Sequence, residues 1–353
     1  MTHAQLLKTI MLPEYDFLET NPHLGKNIMF LTLGGSHAYG TNVEGSDVDI
    51  RGVALNSRQD LIGLSNFEQV IDNKTDTTVY AFRKFVGLIS ACNPNTIEML
   101  GGRPENYAML TPAGKLLLDN KKLFLSKRAV HSFGGYANAQ LRRLQNGCAK
   151  EEVSEEQKAL YTLESCQHAM DQLEEKHGMP RGFVTLSVAP KPMENGTPII
   201  LMHPGDGWEA FGKSGVPLDS AKAYLGELAS IIKSYDSFGR RNQRAKDKSN
   251  KQLNKHAMHL VRLYLMAFDI LEKGEINTYR ENDRDFLMEI RNGKYMSEDG
   301  TFVPEFFEMV NEYDKRLKIA AKETSLPEKP DYKKIEELVM AVNGAVVKGG
   351  GLL

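Results

Sequence analysis

Two short patterns near the N-terminus hold the residues best placed to do chemistry. Asp47 and Asp49 are separated by one apolar residue, and Gly34-Gly35-Ser36 lies upstream of them. In a strand, residues two apart share a face, so both carboxylates point one way while Val48 and Ile50 point into a core. Two adjacent carboxylates repel, and a hard divalent cation relieves that repulsion. Mg²⁺ is commonly held by one or two carboxylates together with substrate phosphates. Gly34 and Gly35 leave room for a sharp turn and for close approach of a phosphate, with Ser36 as a hydroxyl donor. A lone Asp-x-Asp is more often a solvated turn. The pairing of an apolar run, Gly-Gly-Ser, a spacer, Gly45-Ser46-Asp47-Val48-Asp49 and a second apolar run favours a metal and phosphate site.

The elements that must position these residues follow from periodicity. Ile28 to Leu33 is an apolar strand that stops at Gly34, and the second strand runs through Asp47 and Asp49 to Leu55. Ser57 to Asn73 reads as a polar connection, and Asp76 to Val79 as a third strand. Phe82, Phe85, Val86 and Ile89 then fall at helical spacing. Asn93-Pro94 is a helix start, with an N-cap residue before proline. Helices are expected at about 154–177, 218–236, 247–273, 282–292, 303–322 and 331–344. Phe183 to Val188 and Ile199 to His203 read as an inserted β-hairpin, and Gly205 to Gly215 as a glycine-rich loop around Trp208, the single tryptophan.

The fold class expected is therefore α+β. A small mixed-sheet core over residues 1–125 precedes a mainly helical domain over 126–353, with the hairpin and loop at about 181–215.

Composition narrows the classes. The 353 residues are 41% hydrophobic and 25% charged, ordinary for a globular chain. A net charge of −2 argues against wholesale coating of nucleic acid, so any polyanion must meet a local patch. Cys92, Cys148 and Cys166 have no zinc spacing and fit a reducing, cytoplasmic setting. No apolar run is long enough for a membrane span or a signal peptide. Nothing here fixes an oligomeric state.

Gly35-Ser36 followed by Gly45-Ser46-Asp47-Val48-Asp49 resembles the signature of the DNA polymerase β-like nucleotidyltransferase superfamily. Arg83-Lys84-Phe85, the stretch from Asn93 to Leu100 and the stretch from Lys255 to Arg262 resemble its RlaP-like branch, which is associated with RNA repair. The motifs cover residues 28–100 well and the remainder thinly.

The resemblance implies Mg²⁺ (or Mn²⁺) on Asp47, Asp49 and a third carboxylate, with an NTP as substrate and release of pyrophosphate. Asp76 is the choice for that third group, with Asp72 and Glu98 as alternatives. Gly34, Gly35, Ser36 and Ser46 would meet the nucleotide. Lys251, Lys255, His259 and Arg262 fall on one face of the 247–273 helix, opposite an apolar face of Leu253, Leu260, Tyr264, Phe268 and Leu271. From 240 to 255 there are seven basic residues and one acidic. Arg240, Arg241, Arg244, Lys246 and Lys248 are candidates for an RNA backbone, and the triphosphate is the competing occupant. Tyr39 could stack on a base. The acceptor expected is RNA, by repair or end addition. Nucleotidylation of a small molecule or protein, a non-catalytic nucleotide- or RNA-binding regulator, and a partner of a toxin-like protein are the other readings.

Overall fold

The computed structural model describes residues 1–148, 184–188, 200–204 and 250–349, with Gln167, Met170 and Gly226 besides. Five strands, β1 (Ile28–Leu33), β2 (Ile50–Ala54), β3 (Gln69–Asp72), β4 (Thr77–Ala81) and β5 (Tyr107–Leu110), form one mixed sheet in the order β3-β4-β2-β1-β5. All six residues of β1 are buried, as its unbroken apolar run requires of a strand covered on both faces. It pairs antiparallel with both β2 and β5. The β2–β4 pair is parallel, and β3 closes the edge antiparallel to β4.

Eight helices accompany the sheet as far as residue 148: α1 (His3–Ile10), α2 (Phe17–Thr20), α3 (Gly35–Tyr39), α4 (Arg58–Ile62), α5 (Phe82–Ser90), α6 (Pro94–Ile97), α7 (Pro112–Asp119) and α8 (Arg128–Cys148). Later come α9 (Asn250–Phe268), continued by a π turn over Asp269–Lys273, then α10 (Arg284–Arg291), α11 (Pro304–Glu323) and α12 (Tyr332–Lys348). By compactness, residues 1–145 and 249–353 make one unit and 146–248 another. The last four helices thus pack in the same unit as the sheet, whereas the sequence division at residue 125 follows a change in element type. In the second unit β6 (Val184–Val188) and β7 (Ile200–Pro204) form the expected antiparallel hairpin. The helices expected at 154–177 and 218–236, the glycine-rich loop with Trp208, and Arg240, Arg241, Arg244, Lys246 and Lys248 lie outside the described residues.

Three expectations are corrected. Ser57–Asn73 is more than a polar connection. Ser57 and Asp60 cap each other's backbone to start α4, and β3 follows. The strand read as third is therefore β4, and it begins at Thr77, one residue after Asp76. Asp76 itself sits at φ 45, a left-handed conformation that ends the β3–β4 turn. Likewise Asp47 and Asp49 lie in the chain leading into β2, which begins at Ile50. Gly34 N–H donates to the Asp49 carbonyl at 2.8 Å, the last bond before the two strands part. The apolar alternation survives there, since Val48 packs against the core and Ile50 is fully buried.

Candidate active site

Where β1 ends, Gly34 N-caps the five-residue α3 and Gly35 takes φ +53. The geometry is tighter than a simple phosphate turn demands. A Cβ on Gly35 would overlap the Asp49 carboxylate, so glycine there makes room for that side chain. Asp49 also shares a hydrogen bond with Asp76. Burial pushes the Asp49 carboxyl up to about 7, and the bond to Asp76 adds to that rise, while Arg51 and Lys255 oppose it. Asp76 moves down, chiefly through the same bond. Of the two, Asp49 is the carboxyl more readily protonated and Asp76 the one favoured in its charged form.

Arg51 fixes this pair, and sequence reasoning missed it. Its guanidinium donates to the Asp76 carbonyl and to Asp76 Oδ1 at 3.0 Å, and stands 3.9 Å from Asp49 Oδ1. Period two from Asp49 places it on the same face, which was the available signal. Asp47 is exposed and lines an open cavity with Asp76.

Of the alternatives for a third carboxylate, Asp72 accepts from the Thr75 amide and hydroxyl at 2.9 Å, closing its own turn. Glu98 lies elsewhere, bound to Tyr39 and Arg262. Among the described residues no three His, Cys, Asp or Glu side chains already form a cluster able to hold a metal ion. The donor chemistry nonetheless suits a hard cation. Two carboxyls share one proton, a third is two residues away, and substrate oxygens commonly complete such a shell.

The predicted basic face of α9 is corrected. Lys251 and Lys255 are exposed, and the Lys255 charge reaches Asp49. Arg262, in contrast, is buried. Its guanidinium lies 3.4 Å above the centre of the Tyr39 ring and 3.2 Å from Glu98 Oε2. A planar cation held by a ring face and a carboxylate needs no open surface, although its buried Nε is left without a hydrogen-bond partner. Tyr39 is correspondingly closed to a base, its hydroxyl donating to Glu98. His259 is shifted well below the ordinary imidazole range by burial and then by Arg262 and Lys255, so it is neutral and adds no charge for a phosphate. Ser46 accepts the Val43 amide at 2.9 Å on its hydroxyl, shaping the Asn42–Asp47 loop. Lys84 is tied to Glu68 at 3.0 Å.

The C-terminal helices position α3. The Tyr39 carbonyl accepts from the Arg280 amide at 3.1 Å, Gly40 from Arg284 Nε at 2.8 Å, and Thr41 from Arg291 at 2.6 Å. Cations and amides so meet the carbonyl end of α3 while its glycine end faces the carboxylates. Arg262→Lys keeps the charge but loses the flat stacking surface. It is expected to cost about 2 kcal/mol of stability, read as a lower urea midpoint with an unchanged slope.

The site thus combines a mixed sheet, a glycine turn after its first buried strand and carboxylates at the head of the next. The family model for RlaP, the RNA repair pathway DNA polymerase beta family, matches residues 14–190, half of the chain, and the chain belongs to that family. The match contains the whole five-stranded sheet. Comparisons with curated proteins and with solved structures give no match. Family membership implies a nucleotidyltransferase, a nucleotide substrate and the divalent metal that such enzymes typically use. No helix among the described residues is long and apolar enough to cross a membrane.

Proposed function

We propose that the chain transfers a nucleoside monophosphate from an NTP to a hydroxyl of RNA, in repair or end addition, with release of pyrophosphate. The observation that carries the reading is the Asp49 carboxylate seated against Gly35 and hydrogen-bonded to Asp76. It brings the glycine turn and the acidic pair, separate in sequence, into one site. A divalent cation held by Asp47, Asp49 and Asp76 would neutralise triphosphate oxygens and lower the pKa of the attacking hydroxyl. Gly35 and Ser36 would donate to the leaving phosphates, with Gly34 held by its bond to the Asp49 carbonyl, and Lys255 supplies a cation on the exposed side of α9. Arg51 aims Asp76 and, after the bond with Asp49, helps to keep it ionised. The acceptor oxygen bonds to the α-phosphorus as the bond to the β-phosphate oxygen breaks, and the hydroxyl proton passes to Asp76. An RNA acceptor is supported by the repair-pathway family and by the basic run from Arg240 to Lys248.

The test is incubation with each labelled NTP, Mg²⁺ and total RNA or a metabolite pool, following the label. Label in RNA is expected. Label only in a small molecule or in protein would replace the acceptor. A companion variant replaces Arg240, Arg241, Arg244, Lys246 and Lys248 together with Gln. RNA affinity should fall and its salt dependence flatten, by about 0.7 of a slope unit per lost phosphate contact on a single strand. Affinity for a non-hydrolysable NTP should hold. A fall in NTP affinity instead would assign the run to the triphosphate.

A further inference from the structure

A cavity of about 280 Å³ shares no residue with the carboxylate site, and the proposed chemistry leaves it without a role. Its walls are Lys121, Lys122 and Leu125 on one side and Gly274 to Asn277 on the other. The two lysines open the turn Lys121–Phe124 that follows α7. The facing segment leaves the π turn at Gly274, whose φ of +64 ends that helix. The Gly274 and Glu275 amides close the helix end on the Ile270 and Asp269 carbonyls. The next two amides, of Ile276 and Asn277, find no acceptor among the described residues. Lys121 donates to the Leu100 carbonyl at 3.2 Å, and neither lysine has an ion pair among the described residues.

Two neighbouring ammonium groups repel, and taking one of them out of water adds a further cost. Burial, and then Lys122, lowers the Lys121 amine from its ordinary range, while Glu275 opposes the shift. Glu275 is the one carboxylate in the lining; it is exposed and accepts from Asn277 Nδ2 at 3.3 Å. The walls thus keep a net positive charge beside consecutive amides that lack acceptors, an arrangement that suits an anion. The volume lies just under the range of small-molecule pockets, so it fits a phosphate group and leaves a nucleoside outside. The segment beyond the cavity leads to α3. The Ile276 carbonyl lies so close over Gly101 that a Cβ there would collide with it. Thr278 donates its amide to the Gly101 carbonyl at 3.3 Å and its hydroxyl to the Glu98 carbonyl. The Glu98 carboxylate holds the Tyr39 hydroxyl, and the Arg280 amide holds the Tyr39 carbonyl. Tyr39 is the last residue of α3, which begins at Gly35.

We propose that this cavity binds a dianionic phosphate group, free or carried at the end of a larger molecule, between the two lysines and the Ile276 and Asn277 amides. Its occupancy pins the segment from Gly274 to Arg280 and, through Thr278 and Arg280, steadies α3. A phosphate ligand so acts on the glycine turn from a distance, without touching the carboxylates. One wall, Gly274 to Asn277, lies beyond the residues 14–190 that the family model matches. The binding itself does not rest on the nucleotidyltransferase reading.

The experiment uses the full chain in chelator, so that no divalent cation draws phosphate to Asp47 and Asp49. Inorganic phosphate, pyrophosphate and uridine 3′-phosphate are titrated by calorimetry at constant ionic strength, with chloride as the control. Inorganic phosphate should bind and raise the melting temperature, because a ligand held by the folded state alone stabilises it. Replacing Lys121 and Lys122 together with Gln should weaken binding about tenfold or more, through lost charged hydrogen bonds. Lys122→Gln changes an exposed residue and should weaken binding by itself, and Lys122→Arg should keep it; these two carry the test if the double variant does not fold. Uridine 3′-phosphate bound as well as inorganic phosphate identifies the ligand as a carried phosphate group, and binding of the free ions alone identifies it as inorganic. Amide exchange at Thr278 and Arg280 should slow when phosphate is bound. Phosphate binding unchanged in the Gln variants, or a melting rise that chloride matches, overturns the site. Bound phosphate with unaltered exchange at Thr278 and Arg280 overturns the link to α3. Asp49→Asn should bind phosphate as the wild type does, so the site and the nucleotidyltransferase reading fail separately.

Discussion

Asp49→Asn is expected to abolish nucleotidyl transfer while leaving the protein folded. The amide keeps the shape and can still donate to Asp76, but it loses the charge that would hold a cation beside the glycine turn. Loss of several kcal/mol of transition-state stabilisation corresponds to a fall in kcat of about a thousandfold or more. Incorporation of labelled nucleotide under saturating NTP measures it, and wild-type turnover in the variant would sink the mechanism. Stability should move the other way, with a pH dependence whose sign is fixed. The Asp49 carboxyl is raised to about 7 from an ordinary 3.8, so the folded protein holds a proton that the unfolded chain has lost between those values. That contribution is complete below the unfolded value and lost as pH rises through 7. In chelator at about pH 4 or below, wild type and Asp49→Asn should melt together, and the gap should open as pH rises towards 7. At pH 8 the wild type carries two charged carboxylates side by side and the variant carries one, so the variant should melt higher. Equal melting at both pH values would remove the shared proton from the account.

Gly35→Val is expected to be as damaging to activity as Asp49→Asn, for a steric reason. The position has φ +53, and a Cβ there would overlap the Asp49 carboxylate. The carboxylate must swing away or α3 must shift, and either change separates the turn from the acidic pair. Left-handed backbone at a β-branched residue adds strain of about 1–3 kcal/mol. Gly45→Ala separates the two causes. Gly45 has φ +76 but open space where a Cβ would stand, so that variant bears strain without collision. Both variants should lose stability in thermal melts, and only Gly35→Val should lose transfer by orders of magnitude. Similar activity in the two would show that backbone strain alone governs the turn.

Much of this was legible along the chain, because local chemistry fixes it. The run Ile28–Leu33 has no choice but a buried strand, glycines must follow where the chain turns sharply, and Asn93-Pro94 starts a helix wherever it lies. The apolar stripe of α9 named its buried face correctly, with Leu253, Leu260, Tyr264, Phe268 and Leu271 all buried. The same periodicity misplaced Arg262. Helical spacing reports angle around an axis, and it assumes that a charge seeks water. Tyr39 and Glu98 are distant from Arg262 in sequence, and together they replace its water with a ring face and a carboxylate. Only tertiary packing could bring them there. The pairing of Asp76 with Asp49 was likewise undecidable among three carboxylates on spacing alone. The parallel β2–β4 register decided it, setting Ile50 opposite Thr77 so that the residues just before each strand converge. Sequence determined which elements form, since that depends on neighbours a few residues away. Tertiary structure decided which charges are shared, buried or left open, because electrostatic partners are chosen by distance through space.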